Sequence, residues 1–338
     1  MENNAAKNSL RILLITSEWP TPEHPEQAPF VVQQVDYLRR LGMQVDVFPF
    51  SSAGNPLNYL RAWSRAQKKL RRKKYDVVHA HFGHSGMLAV PKRAPLIVTF
   101  HGSDLEGIIG PNGEYTRHGQ IFRQVSRVSA RFADECIVVS KTLARHLPDG
   151  VPYNVIPGGV NLELFKPADK AEARAQLGLP QDRTLVLFGG RTNIPRKRYA
   201  LSQEAVELLR GEYDADLIDV NYKPHDVMPV YMAACDVLVL TSIHEGSPTV
   251  VKEALACNLP VVTVNVGDVI ERIGEVPGCV VCADDKAETI AAGLREVLSR
   301  KVPFEGRAVA ERELDEAMLI DKVVGLYRGA LHKRSSRK

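Results

Sequence analysis

Residues 236–267 read DVLVLTSIHEGSPTVVKEALACNLPVVTVNVG. Val237 to Leu240 form an apolar run without polar alternation, bounded by turn residues, and this predicts a strand buried on both faces of a parallel sheet. Ser247 is placed to cap a following helix and Pro248 to take its first position. Val250/Ala254 and Val251/Leu255 supply the apolar stripe, until Asn258 and Pro260 close the helix. Residues 261–264 then begin another strand. Such a βαβ unit opens its strand-to-helix turn at the carboxyl edge of the sheet, where ligands of open α/β sheets bind. The first N–H groups of the helix, at Thr249 and Val250, and the positive end of its dipole favour an anion there, most naturally a phosphate.

Two carboxylates flank that anion site, Glu245 in the turn and Glu253 about one and a half turns inside the helix. Acids beside a nucleotide site accept hydrogen bonds from ribose or sugar hydroxyls. Glu245-Gly246 through Glu253, with seven residues between the acids, resembles the E-x7-E motif of retaining GT-B type glycosyltransferases (glycosyltransferase family 4, glycosyl transferases group 1), and EGSPTVVKEALACNLPVV is similar to that family throughout. The resemblance implies an α/β GT-B fold, two Rossmann-like parallel-sheet domains facing across a cleft. It also implies a nucleotide-sugar donor, a UDP- or GDP-sugar, on the second domain and a sugar or lipid-linked acceptor on the first. A hexose would pass between them with retention of configuration.

At 338 residues the chain suits two domains, and 44% hydrophobic with 25% charged residues is an ordinary globular composition. A net charge of +4 makes no demand for nucleic acid. Residues 1–10 lack an apolar signal core and no segment has the length of a membrane span, so the expectation is a cytoplasmic protein. Five cysteines, with Cys279 and Cys282 in redox or metal spacing but without a second pair, read as buried thiols.

Residues 11–17 predict the first buried strand, 31–41 a helix and 44–48 the next strand. The family's glycine-rich loop after the first strand is here WPTPEHPEQAPF, without glycine, so no residue role transfers to it. Residues 57–74 are helical in pattern and carry Arg61, Arg65, Lys68, Lys69, Arg71, Arg72, Lys73 and Lys74 with no acid. Trp63 and Leu70 are spaced to share one face. A basic helix carrying an aromatic rests on anionic lipid or is simply a solvated face. On the first reading the protein sits peripherally on the inner face of the membrane and its acceptor belongs to envelope polysaccharide or glycolipid synthesis.

His79, His81 and His84 cluster at the end of the strand at 75–81 and in the turn after it, without the acid or Cys that would complete a metal site. His101-Gly102-Ser103-Asp104 follows the strand 96–100 and resembles the family's H-G-x-D, which implies that His101 reaches the donor sugar. The Pro- and Gly-rich segment from Val155 through Asn161 resembles the family's crossover. It places a first domain at 1–157, a second at 158–320, and a last helix at 321–338 returning to the first.

The strand 184–188 leads into Gly189-Gly190-Arg191, and four cations fall within eight residues: Arg191, Arg196, Lys197 and Arg198. Glycines let backbone approach a ligand, and the family places an Arg and a Lys here to neutralise the donor diphosphate. Arg191 and Lys197 fit best, with Arg196 and Arg198 as rivals. On this reading His101, Glu245, Arg191 and Lys197 carry the chemistry, while Glu253, Gly246, Ser247, Pro248, Thr249, Val250, Gly190 and Arg196 bind the donor. Residues 199–236 look compressed by one βα unit, which bears on the base contacts. Asp214 and Asp216 have metal-pair spacing but enter a strand at the edge away from the cleft, so no metal is expected. Residues 278–282 predict a late strand, 287–299 a helix, 310–331 a final helical stretch, and 332–338 a disordered tail. Alternatives are a phosphorylase or epimerase of the same fold, or a non-catalytic nucleotide-sugar-binding protein.

Overall fold

The structure is a computed structural model that describes residues 9–24, 27–51, 55–110, 113–221 and 223–336. Residues 1–8, part of the first loop (Pro25, Glu26), Tyr222 and the last two residues of the tail therefore lie outside the described residues.

Two parallel sheets form the frame. The first contains β1 (Arg11–Thr16), β2 (Gln44–Pro49), β3 (Val77–His81), β4 (Leu96–Phe100), β5 (Glu135–Val138) and β6 (Asn154–Val155) in the order β2-β1-β3-β4-β5-β6. The second contains β7 (Thr184–Phe188), β8 (Ala215–Ile218), β9 (Val237–Leu240), β10 (Val261–Val264) and β11 (Val280–Cys282) in the order β11-β10-β9-β7-β8. Every residue of β3, β4, β9 and β10 is buried, the consequence of runs that are apolar apart from Thr99, Thr263 and, in β3, His79 and His81, covered on both faces by helices. The strand order reverses between β1 and β3 in one sheet and between β7 and β9 in the other. Both reversals open crevices at carboxyl ends, and the two crevices face each other.

Five helices position the site and its surroundings: α1 (Pro29–Arg40), α2 (Pro56–Arg72), α3 (Arg117–Phe132), α4 (Thr249–Ala256) and α5 (Glu316–Ser335). The helical stretch expected at 310–331 is two helices, Arg307–Glu313 and α5, because Asp315 breaks it and accepts from the Ala317 N–H at 2.9 Å. The expected disordered tail is helical through Ser335, carried on as the last turn of α5. Leu319, Ile320, Val323, Val324 and Tyr327 of α5 pack with Ile12, Leu14, Val31 and Val35 in one core layer of the first sheet. The chain therefore crosses between the sheets twice. The two crossings pair where Val160 N–H donates to Leu314 O at 2.8 Å and Glu316 N–H to Val160 O at 3.1 Å.

Trp63 and Leu70 share the face of α2 that packs on the core. Leu70 is buried, and Trp63 is half-buried with its indole N–H on Val90 O at 2.7 Å, because α2 turns Ala62, Ala66, Gln67 and Leu70 to the core.

Candidate active site

A cleft of about 1100 Å³ separates the two sheets, and every residue assigned above to chemistry or donor binding lines it. The loop after β7 brings Gly190, Arg191, Arg196 and Lys197. The loop after β9 and the start of α4 bring Glu245 through Glu253, and the end of β4 brings His101 from the opposite side.

Glu245 is the hub of the second domain's half. Its Oε1 accepts from Lys197 Nζ at 2.6 Å, Arg196 Nη1 at 2.8 Å and Ser242 Oγ at 2.7 Å. Burial opposes its ionisation, but Lys197 and Arg196 outweigh burial and hold the carboxyl down at about 2. Lys197 is itself drawn below its usual value: burial is the largest cause, and Arg196 and Arg191 add to it against the pull of Glu245. One buried carboxylate thus stands among several cations, an arrangement that favours a further anion. Gly190 makes room for this, since a Cβ there would lie 2.8 Å from Lys197 Cδ.

Ser247 does not cap α4, and Pro248 sits at the cap position rather than in the first turn. The Ser247 hydroxyl donates to Asp268 Oδ2 at 2.9 Å and meets Lys252 Nζ at 3.2 Å, because a buried carboxylate and ammonium compete for it more strongly than a backbone amide. With no side chain over the first turn, the N–H groups at the start of α4 remain the anion-facing end of the helix.

Gly246 approaches the opposite domain backbone to backbone. A Cβ at 246 would sit 1.9 Å from the carbonyl oxygen of His101, and one at Gly267 would sit 2.8 Å from Glu245 O. Gly246, expected at the donor, lines the cleft and also makes this contact between domains.

Glu253 is buried at 4% exposure, and its Oε1 lies 2.7 Å from His225 Nε2. Burial lowers the His225 pKa, but Glu253 and then Asp226 raise it further, and the net shift is upward. Lys252, 1% exposed, donates to Gly158 O at 2.8 Å, and burial pulls it down to about 8. Three more residues join across the domains. His244 Nδ1 lies 3.1 Å from Glu106 Oε2, and Glu18 lines the same cleft as Arg191 and Arg196.

His225, Lys252, Glu106 and Glu18 were not singled out as site residues from the sequence. Lys252 did leave a signal, an ammonium beside the apolar stripe of a short helix. The other three are brought to the cleft only by the meeting of distant loops.

On the first domain's side, His101 lines the cleft with Phe30 and Phe82 at ring distances of 4.7 and 4.8 Å. Asp104 sets the turn that carries it, accepting from the backbone N–H groups of His101 at 3.0 Å, Gly102 at 2.9 Å and Gly83 at 2.7 Å. His79 and His81 are buried behind it at 0% and 1% exposure. Among the described residues no three His, Cys, Asp or Glu side chains group as a metal site. The Asp214/Asp216 pair is held by Arg183 at 2.6 and 2.8 Å. All five cysteines are free thiols, four of them buried.

Two family models tile the chain: Glycosyltransferase Family 4 over residues 3–164 and Glycosyl transferases group 1 over 169–300. The chain belongs to the GT-B glycosyltransferases. Among its relatives is TuaC of Bacillus subtilis, assigned as a glycosyltransferase of teichuronic acid biosynthesis. It is 27% identical over 333 residues, covering 79% of this chain and 84% of its own. Sucrose-phosphate synthase from Thermosynechococcus elongatus has the same fold, with a TM-score of 0.78 over 96% of this chain and 100% of that one at 19% identity. Anabaena HepE, solved with UDP-glucose, matches with a TM-score of 0.71 over 95% and 100% at 18% identity.

Proposed function

We propose that this chain is a retaining hexosyltransferase that moves a hexose from a UDP- or GDP-sugar to a sugar or lipid-linked acceptor, without a metal ion. The observation that carries the reading is the convergence of Arg196 and Lys197 on Glu245 Oε1 at the opening of α4, across the cleft from His101. Breaking the bond between the anomeric carbon and phosphate leaves negative charge on the diphosphate. Arg191, Lys197, Arg196 and the α4 amides line the cleft, and in this reading they receive it.

The ion pairs of Glu245 bear on its role. A carboxylate with a pKa of about 2 and one oxygen given to three donors is a weak nucleophile. This favours Glu245 holding a sugar hydroxyl, with the acceptor attacking the face from which the diphosphate leaves and passing its proton to the departing phosphate oxygen. Glu253 holds the ribose once His225 yields one oxygen, and His101 positions the sugar. UDP-glucose in HepE and the polymer named for TuaC support the donor and acceptor classes.

An anionic membrane is the proposed setting. Among the described residues no helix is long and apolar enough to cross a bilayer. α2 and α3 both pack on the turn Gly83–Ala89: Gln67 Nε2 donates to Leu88 O at 3.0 Å, and Phe122 stacks on His84 at 4.6 Å. Together the two helices hold ten of the chain's 44 Lys and Arg residues and none of its 40 acids. They also expose Leu57, Leu60, Ile121 and Val128, the mixture that lies down on anionic lipid.

Thermal shift and calorimetry with UDP, GDP, ADP and their hexose conjugates test the donor site, with Glu253→Ala as control. Selective stabilisation by one nucleotide, lost in the variant, is the expected result, followed by a product whose anomeric configuration matches the donor's. Binding by none of them would favour the non-catalytic alternative. Free sugar phosphate or an epimerised nucleotide sugar would identify the phosphorylase or epimerase alternative.

A further inference from the structure

We propose that His81 is a positioning residue that fixes the proton of His101 on Nδ1, so that His101 meets the donor as a hydrogen-bond donor; this rests on the transferase reading above. His81 ends β3 and His101 follows β4, neighbouring strands in which His81 pairs with Thr99. Their ring planes are 17° from parallel and the centroids 5.2 Å apart, so the rings meet edge to edge, with His81 Nδ1 3.0 Å from His101 Nε2. Burial holds His81 down at about 3, and burial, then His81 and Lys252, hold His101 well below its usual value. Each ring is therefore neutral, with one N–H and one lone pair.

A nitrogen–nitrogen contact of 3.0 Å needs a hydrogen on one side only. If His81 carried its proton on Nε2, that N–H would be buried with no acceptor, since Nε2 has no partner among the described residues. If it carries the proton on Nδ1, the unpartnered atom is a lone pair, and a buried orphan N–H is the rarer and costlier defect. His81 therefore donates and His101 Nε2 accepts, leaving Nδ1–H as the group His101 offers to the cleft it lines. The chain of histidines goes no further. His79 spends both nitrogens on Tyr327 OH at 2.6 Å and Thr99 Oγ1 at 2.7 Å, and it touches His81 only through the ring at 4.3 Å.

Histidine tautomers are read directly in long-range 1H–15N spectra of 15N-histidine-labelled protein, with the His101 signals assigned by their loss in His101→Asn. The wild-type chain is expected to show His101 protonated on Nδ1. His81→Phe is expected to mix the two tautomers and to lower kcat about tenfold or more, with nucleotide affinity changed less than about twofold. His81→Gln, whose amide can still donate, is expected to restore both. His101 protonated on Nε2 in the wild type overturns the inference, as does an unchanged tautomer in His81→Phe or a Gln variant no better than Phe. If the wild type transfers no sugar, the transferase reading fails, while the spectra still decide the tautomer.

Discussion

The carbonyl oxygen of His101, at the end of a strand in the first sheet, and the α-carbon of Gly246, in the loop after a strand of the second, are in contact across the cleft. A methyl group on residue 246 would lie 1.9 Å from that oxygen. Both partners are backbone, so neither can turn aside. Gly246→Ala is expected to hold the domains apart, at a cost on the order of 1–3 kcal/mol to the closed form and about 100-fold in kcat/KM. Small-angle scattering should show a larger radius of gyration. Wild-type activity and dimensions in the variant would refute the contact.

The ion pairs of Glu245 make the fold acid-sensitive. Its folded pKa, about 2, lies below its usual 4.5, so its contribution is fully present above pH 4.5 and is lost as pH falls from 4.5 towards 2. Glu245→Gln is expected to flatten the stability–pH curve in that window by on the order of 3 kcal/mol and to lower kcat at least 100-fold. Parallel wild-type and variant curves in acid denaturation would contradict this.

Lys252 has the opposite sign. Its folded pKa, about 8, is below the usual 10.5, so the unfolded chain binds the extra proton between those values and stability rises with pH across that window. Below pH 8 the buried ammonium costs stability. Lys252→Met is therefore expected to raise the melting temperature at pH 7, a gain on the order of 1–3 kcal/mol, because Asp268 keeps Arg272 at 2.9 Å. Activity should fall at the same time, since Lys252 no longer ties α4 to Gly158. A lower melting temperature would count against this account.

His225 competes with ribose for Glu253. Its pKa is raised in the fold, by Glu253 and Asp226 against burial, so the charged pair is strongest below pH 6.5 and is lost as pH rises through the raised value. Nucleoside diphosphate affinity should climb across that range more steeply in the wild type than in His225→Gln, as calorimetry at fixed ionic strength would report. Equal slopes would leave phosphate ionisation as the whole cause.

Flotation on vesicles containing phosphatidylglycerol, but not on pure phosphatidylcholine, is expected for the wild type and should weaken as salt rises. Changing Arg117, Arg123, Arg127 and Arg131 of α3 to Gln should reduce flotation about as much as removing the cations of α2, without altering nucleotide affinity. Flotation that ignores lipid charge would remove the membrane from the proposal.

Much of the frame was legible in the linear chain. The strands at 96–100 and 184–188 are legible in the sequence with their exact bounds, because short apolar runs bounded by turn residues have few other homes than a buried strand. The cap of α4 was misread because Ser247 satisfies the local rule for capping; only the fold brings Asp268, 21 residues on, within 2.9 Å of it. Trp63 and Leu70 do share a face, as their spacing predicts, but periodicity could not show that this face meets the core and that Val90 O receives the indole N–H.

By itself the sequence determined two parallel sheets, the family, and the acids and cations that crowd one pair of strand ends. These follow from local pattern, propensity and short motifs, which act within a few residues. Tertiary structure alone decided that Glu245 is spent on Lys197 and Arg196, that Glu253 is guarded by His225, that Gly246 closes the cleft on His101, and that His81 stands behind it. Each of these is a distance between residues far apart in the chain, set by how two sheets dock, and no local preference contains it.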